Sequence, residues 1–173
     1  MRTKITPNLW FDTAALDAAQ FYVSVFANSR IVQVTHYTEA GPRPAGTVLT
    51  VEFELDGERF IGITGGPEFT FDEAVSFQID CVDQQEVDYF WEQLSEGGRP
   101  GPCGWLKDKF GLSWQIVPLG LEELVADPDP ARAERAMRAM LAMGKLDIAA
   151  LREAADASAT NGQETPRERS GRA

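Results

Sequence analysis

CGWLKDKFGLSWQIVP, residues 103–118, decides the fold. Its two ends read as strands, and the turn between them falls near Phe110-Gly111. Upstream, VSFQIDCV (75–82) reads as a strand. QQEVDYFWEQLSE (84–96) reads as a helix stopped by Gly97-Gly98. A weak edge strand near residues 99–103 completes the unit. The same order is spelled earlier, over residues 5–64. There ITPNLWFD (5–12) is extended, and AALDAAQFYVSVF (14–26) is helical, with Leu16, Ala19, Val23 and Phe26 at the spacing of a buried stripe. SRIVQVTHYT is rich in β-branched residues and reads as a strand. TVLTVEFELDGERFIGIT is a hairpin about Asp56-Gly57, a strong two-residue turn signal. The two helices also share a local pattern, Asp17 with Phe21-Tyr22 and Asp88 with Phe90-Trp91. The chain is therefore a degenerate βαβββ repeat, with modules at about 5–64 and 75–118 inside a domain spanning 1–119.

After Pro118 the pattern turns helical, giving an expected extension over 120–157. Asp129-Pro130 is a helix start with proline in the first turn, and Gly144 ends that helix. Met137, Met140 and Leu141 fall on one face, which could dock a second copy or fold back on the chain's own sheet. A shorter helix follows near 147–157. Residues 158–173 lack apolar periodicity and are expected to be disordered.

Charge and composition narrow the partners. Twenty-seven acids against sixteen bases give a formal net charge of −11, which repels phosphate backbones and anionic membrane surfaces. No apolar run approaches a membrane span of about 20 residues, and MRTKITPNLWFD lacks the apolar stretch of an export signal. The expectation is a cytoplasmic protein without nucleic-acid or membrane partners. Its two cysteines, Cys81 and Cys103, would then be reduced and would behave as small hydrophobes.

The doubled unit, together with PNLWFD, AAQFYVSVF, VSFQIDC, CGWLKDKFGLSWQIVP and AMLAMGKLDIAAL in that order, resembles the vicinal oxygen chelate superfamily. Within it the chain resembles the PhnB-like branch, often labelled 3-demethylubiquinone-9 3-methyltransferase-like. The likeness spans about residues 5–157. It implies an α+β fold in which two βαβββ modules form a cupped mixed sheet, with helices outside and a C-terminal helical extension. It also implies a common homodimer, and a cavity whose metal ligands come from the first and last strands of the two modules.

Strand alternation assigns the faces of that cavity. On the first strand Leu9 and Phe11 pack beneath the helix, leaving Asn8 and Trp10 in the cup. On the fourth, Ile61 and Ile63 pack, leaving Gly62 and Thr64. On the fifth and last strands Ser76, Gln78 and Gln115 line the cup. Carried over position by position, the family's ligand sites fall on Asn8, Gly62 or Thr64, Ser76 or Gln78, and Gln115. None is His, Glu or Cys, and neutral amides and hydroxyls lack the charge to offset the dehydration of a transition metal. The expectation is no bound metal and no cofactor. No catalytic residue is identified.

Three weaker candidates remain. The lone histidine, His36, is a strand residue or a base in the cavity. Asp80 is a strand-end carboxylate or a base. Cys103 is a small packed thiol or a nucleophile, with Lys107 and Lys109 near it in sequence. Trp10 either stacks a planar ligand or packs in the core. The functional expectation is a small neutral or weakly polar metabolite bound in a metal-free cup. The alternative is an enzyme of the glyoxalase, dioxygenase or demethylubiquinone methyltransferase-like type. Against S-adenosylmethionine chemistry, no strand runs through a glycine-rich turn into a helix: Gly65-Gly66-Pro67 is followed by EFTFDEAV, which is not helical.

Overall fold

Each half of the chain builds a four-stranded mixed sheet to one plan. The structure, a computed structural model, describes residues 4–157; the tail expected at 158–173 lies outside them. The first module runs β1 (Asn8–Phe11), α1 (Ala15–Val25), β2 (Arg30–His36), β3 (Val48–Leu55) and β4 (Glu58–Thr64). The second runs β5 (Ser76–Cys81), α2 (Gln84–Ser95), β6 (Arg99–Pro100), β7 (Trp105–Lys107) and β8 (Ser113–Pro118). Strand orders are β1-β4-β3-β2 and β5-β8-β7-β6, so the repeat read from the sequence is a repeat in space. In each sheet the first strand lies parallel to the last, and the remaining pairs are antiparallel. The fold is α+β.

Turn chemistry explains where the strands reverse. Asp56 and Gly57 both take positive φ, 46° and 84°, the two-residue hairpin geometry that their types favour. Cys103 and Gly104 do the same at 55° and 80°. A Cβ on Gly104 would lie 2.6 Å from the Ile116 carbonyl oxygen, so only glycine fits there.

Helix α1 buries Ala15, Ala18, Ala19, Tyr22 and Val25. That stripe is rotated from the expected one: Leu16, Val23 and Phe26 are only partly buried at its margin. The alanines let the helix lie close to the sheet, and β4 answers them with Gly62, where a Cβ would stand 3.4 Å from the Ala15 Cβ. This corrects the expected faces of β4. Gly62 and Thr64 are buried beneath α1, level with Leu9 and Phe11 of β1, whereas Ile61 and Ile63 share the opposite face with Asn8 and Trp10.

The core faces of both sheets and the helices α1 and α2 merge into one cluster. Phe60 of β4 meets Phe77 of β5, with ring centroids 5.3 Å apart, and Tyr22 of α1 meets Trp114 of β8 at 5.6 Å. At its centre lies Asp108, 3% exposed. Its carboxylate accepts hydrogen bonds from Tyr22 Oη and Trp114 Nε1, both at 2.8 Å, and from the backbone N–H groups of Phe110 and Leu112. Burial holds the Asp108 carboxyl above the usual carboxylate range, against the downward pull of these four donors. Burial first, and the Asp108 charge second, push the Tyr22 phenol well above its ordinary value.

The C-terminal extension, α3 (Leu121–Val125), α4 (Pro130–Ala142) and α5 (Ile148–Asp156), folds back on its own second module. Leu146 and Leu151 pack with Leu121 against Val117 of β8. Gln84 of α2 donates to the Leu146 carbonyl and accepts from the Ile148 N–H, and Lys145 pairs with Asp88 at 2.5 Å. The packed face of α4 is formed by Ala136, Ala139 and Met140; Met137 and Leu141 stay exposed, unlike the face expected from their spacing.

Removing the buried acceptor leaves two side-chain donors and two backbone N–H groups unpaired, at about 1–3 kcal/mol for each donor left unsatisfied, so Asp108→Ala should lower unfolding free energy by several kcal/mol. Tyr22→Phe should cost about 1.5–3 kcal/mol, the range for a hydrogen bond to a charged group. Urea denaturation checks both. A raised Tyr22 pKa means that the native state keeps this proton longer than the unfolded chain. The associated stability is whole below about pH 10, the unfolded phenol value, and is lost as pH rises above it. Tyr22→Phe should blunt that alkaline loss; an unchanged slope would remove Tyr22 from the account.

Candidate functional site

The faces of the two sheets turned away from the shared core carry the sequence-predicted site residues. On the second sheet the prediction of facing is met. Ser76, Gln78 and Asp80 of β5 stand level with Ser113, Gln115 and Val117 of β8. Trp105 and Lys107 of β7 continue this face opposite Gln115 and Ser113. Gln115 Nε2 donates to Ser76 Oγ at 2.8 Å, and Gln78 Nε2 donates to Asp80 Oδ1 at 2.7 Å. Beside them opens a cleft of about 480 Å³, walled by Pro100, Pro102, Cys103 and Trp105 and rimmed by Glu73, Arg99 and Lys107.

On the first sheet the outer face carries Asn8, Trp10, Ile61 and Ile63. Trp10 is not a core residue. Its Nε1 donates to the Gly66 carbonyl at 2.8 Å, and its ring stands edge-on to Phe69. A Cβ on Gly65 would come within 2.1 Å of that ring, so the glycine makes room for the indole. Asn8 is exposed and donates to the Thr6 carbonyl. Thr64, expected in the cup, is instead buried on the core side, 5% exposed, with Oγ1 lacking a hydrogen-bond partner.

The structure thus brings Ser76, Gln78 and Gln115 together, and Asn8 and Trp10 together, but does not join the two sets within one chain. The shared core lies between them. Within the single chain, Asn8 and Trp10 stand on one outward face and Ser76, Gln78 and Gln115 on another.

The weaker candidates separate as well. His36 is exposed at the end of β2, opposite Val48. Asp80 is exposed and accepts from Gln78. Cys103 is half-buried in the cleft wall, its N–H donating to the Met143 carbonyl at 2.8 Å. The lysines near it in sequence are engaged elsewhere: Lys107 pairs with Glu73 at 2.7 Å, and Lys109 Nζ sits 4.0 Å from the Phe21 ring centre. Cys81 is fully buried, and burial together with the charges of Glu86, Asp80 and Asp83 pushes its thiol up to about 12.

The superfamily's metal can be tested against these donors. Asn8, Ser76, Gln78 and Gln115 offer only amide and hydroxyl oxygens, and Gly62 and Thr64 have turned to the core. These residues do not fit a transition metal. Among the described residues no group of three or more His, Cys, Asp or Glu side chains is placed to hold a metal ion. No helix among them is long and apolar enough to cross a membrane.

Sequence reasoning missed Asp108, although it stands in the DKFG turn. A lone Asp before a glycine turn reads as a solvated turn former, and nothing local announces the tyrosine and tryptophan that reach it from α1 and β8.

The sequence profile of the family described as 3-demethylubiquinone-9 3-methyltransferase matches residues 3–117. Among solved structures, the PhnB protein of Bacillus cereus, which carries that same methyltransferase label, is 35% identical; the match covers 67% of this chain and 99% of that one, with a TM-score of 0.61. A protein of Pseudomonas aeruginosa is 16% identical over 67% of this chain and 97% of its own, with a TM-score of 0.56. A fosfomycin resistance protein, FosX of Listeria monocytogenes, is 13% identical over 70% and 94%, with a TM-score of 0.50, a likeness of fold alone. None of the curated proteins compared with the chain matches it.

The two thiols differ in exposure, and that difference sets their reactivity. With a disulfide reagent at neutral pH, Cys103 should react readily in the native protein and Cys81 only after unfolding. Two fast-reacting thiols in the folded state would contradict the burial of Cys81.

Proposed function

We propose that this chain, which belongs to the 3-demethylubiquinone-9 3-methyltransferase (PhnB-like) family of the vicinal oxygen chelate superfamily, binds a small neutral or weakly polar molecule in a metal-free cup closed by two copies of the chain. The observation that carries this reading is the donor set at the last strand: Gln115 and Ser76 are hydrogen-bonded to each other, and Gln78 stands level with Gln115. An amide–hydroxyl array of this kind recognises uncharged donors and acceptors. It provides no charge to neutralise a cation or an anion at its centre. Trp105 and the adjoining cleft of about 480 Å³ supply apolar wall and room, within the size range of small-molecule sites.

The need for a second copy follows from the facing of the sheets. With both core faces consumed by the shared interior, Asn8 and Trp10 can meet Ser76, Gln78 and Gln115 only across a contact between copies. The outer face of the first sheet supports such a contact. Ile61, Ile63 and Trp10 form an apolar row there, half-buried in the single chain, of the kind that marks an interaction surface. In this homodimer each cup takes one wall from each chain.

Methyl transfer, named in the family label, is not part of the proposal. The chain lacks the glycine-rich strand–helix turn that such chemistry would use for S-adenosylmethionine.

Sedimentation should give a dimer, and Ile63→Asp should give a folded monomer with an unchanged near-ultraviolet spectrum. A monomeric parent protein would sink the shared cup. Native mass spectrometry of the dimer after exposure to a metabolite extract should show a small-molecule adduct that Gln115→Ala loses. Elemental analysis should find no stoichiometric metal, and Gln115→Glu alone should gain no tight Zn²⁺ binding, because its neighbours stay amides and hydroxyls. One metal per chain would overturn the reading.

A further inference from the structure

A second cavity lies where the two modules meet, away from the cup residues of the first sheet. It has a volume of about 620 Å³. Five aromatic rings run through its lining in an unbroken chain. Phe90 meets Phe26, Phe26 meets Trp114, Trp114 meets Phe77 and Phe77 meets Phe60, with successive centroids 5.2–5.7 Å apart. Carboxylates also line it on both sides: Asp56 and Glu58 from the β3–β4 hairpin, Asp80 and Glu86 from the second module. No lysine or arginine lines it, and among the described residues none of these four acids is in an ion pair. Two of them have neutral donors only: Gln78 Nε2 reaches Asp80, and the Val82 N–H reaches Glu86.

We infer that this seam between the modules is a binding site for an organic ammonium ion with an apolar, preferably aromatic, body. Aromatic faces and carboxylates have one ligand chemistry in common, a positive charge on a weakly hydrated group. The rings attract it through their quadrupoles, and the largely solvent-exposed acids add a Coulomb attraction. Elsewhere the chain supplies such a cation itself, with Lys109 over the Phe21 ring at 4.0 Å. Along the seam it supplies none. A small metal ion fits less well, because it would leave the aromatic floor unused and would have to shed a strongly bound water shell. The site shares Gln78 with the two-copy cup, whereas Asp56 and Glu58 lie outside that cup, so substitution of these two acids distinguishes a failure of the seam from a failure of the cup.

The test is an NMR titration of the full chain with benzyltrimethylammonium chloride, with benzyl alcohol as the neutral aromatic control and KCl as the ionic-strength control. Saturable shifts at Glu58, Gln78, Ile79 and the Trp114 indole are expected with the ammonium ion, and binding about tenfold weaker or worse with the alcohol. KCl should give no saturable shift at these positions. The double variant Asp56→Asn/Glu58→Gln should weaken the ammonium ion about fivefold or more. Both residues are exposed, and asparagine suits the positive φ of the turn at Asp56, so the fold should survive; an unchanged spectrum outside the hairpin checks it. Equal binding of cation and alcohol, undiminished binding by the folded double variant, or shifts confined to other surfaces would overturn the site.

Discussion

The Asp108 carboxylate draws donors from both halves of the repeat, and most of the molecule's plan follows from that meeting. Tyr22 comes from the first module's helix, Trp114 from the second module's last strand, and two N–H groups from the turn that Asp108 itself begins. All four partners offer a proton and accept none in this arrangement, so an ionised acceptor satisfies the site completely. A protonated one would require Tyr22 to reverse its hydroxyl. A buried charge held this way cannot slide, because every displacement strands a donor in an apolar surround. The network therefore fixes which faces of the two sheets look at each other.

Once the helix-bearing faces are locked together, the opposite faces of both sheets point outward, and two kinds of surface result. One is the pair of separated half-cups, Asn8 and Trp10 on one side, Ser76, Gln78 and Gln115 on the other. The second is the seam where the modules abut, floored by the rings that line the interior and edged by carboxylates from both modules. The former is uncharged at its centre and the latter strongly acidic. Within a chain of net charge −11, four carboxylates that form no ion pair among the described residues thus stand beside the aromatic seam, while Ser76 and Gln115 pair with each other through uncharged groups.

The repeat, its turns and the polar face of the second sheet were legible because they are local. Asp56-Gly57 states its own turn type, and Ser76, Gln78 and Gln115 alternate with Phe77, Ile79, Trp114 and Ile116 without ambiguity. On β4 the same rule misled. In ERFIGIT the two isoleucines alternate with a glycine and a threonine, and alternation placed them inside. The core side is set instead by Phe60 and by Gly62, whose missing side chain matches the alanines of α1. Small residues at a close helix–sheet approach carry little hydrophobic signal, so a pattern of apolarity ranks them last. The direction in which the two modules dock was not legible either. It depends on Tyr22, Asp108 and Trp114 meeting across 86 and 6 residues of sequence, a relation that no window contains.

The family profile ends at residue 117, yet the cleft beside Gln115 is shaped by what comes after it. Its wall at Pro102 and Cys103 is a tight turn in positive φ, and both N–H groups of that turn, Cys103 and Gly104, are tied to the carbonyls of Met143 and Gly144 at 2.8 and 2.7 Å. Gly104 is walled by the Leu146 side chain, whose own backbone is held by Gln84 of α2. The extension also covers Val117, at the far end of the same strand face. A two-residue edge strand such as β6 has little pairing of its own to hold it. The helices beyond the repeat supply that restraint, so the geometry of the candidate cup belongs to the whole of residues 4–157 and not to the doubled module alone.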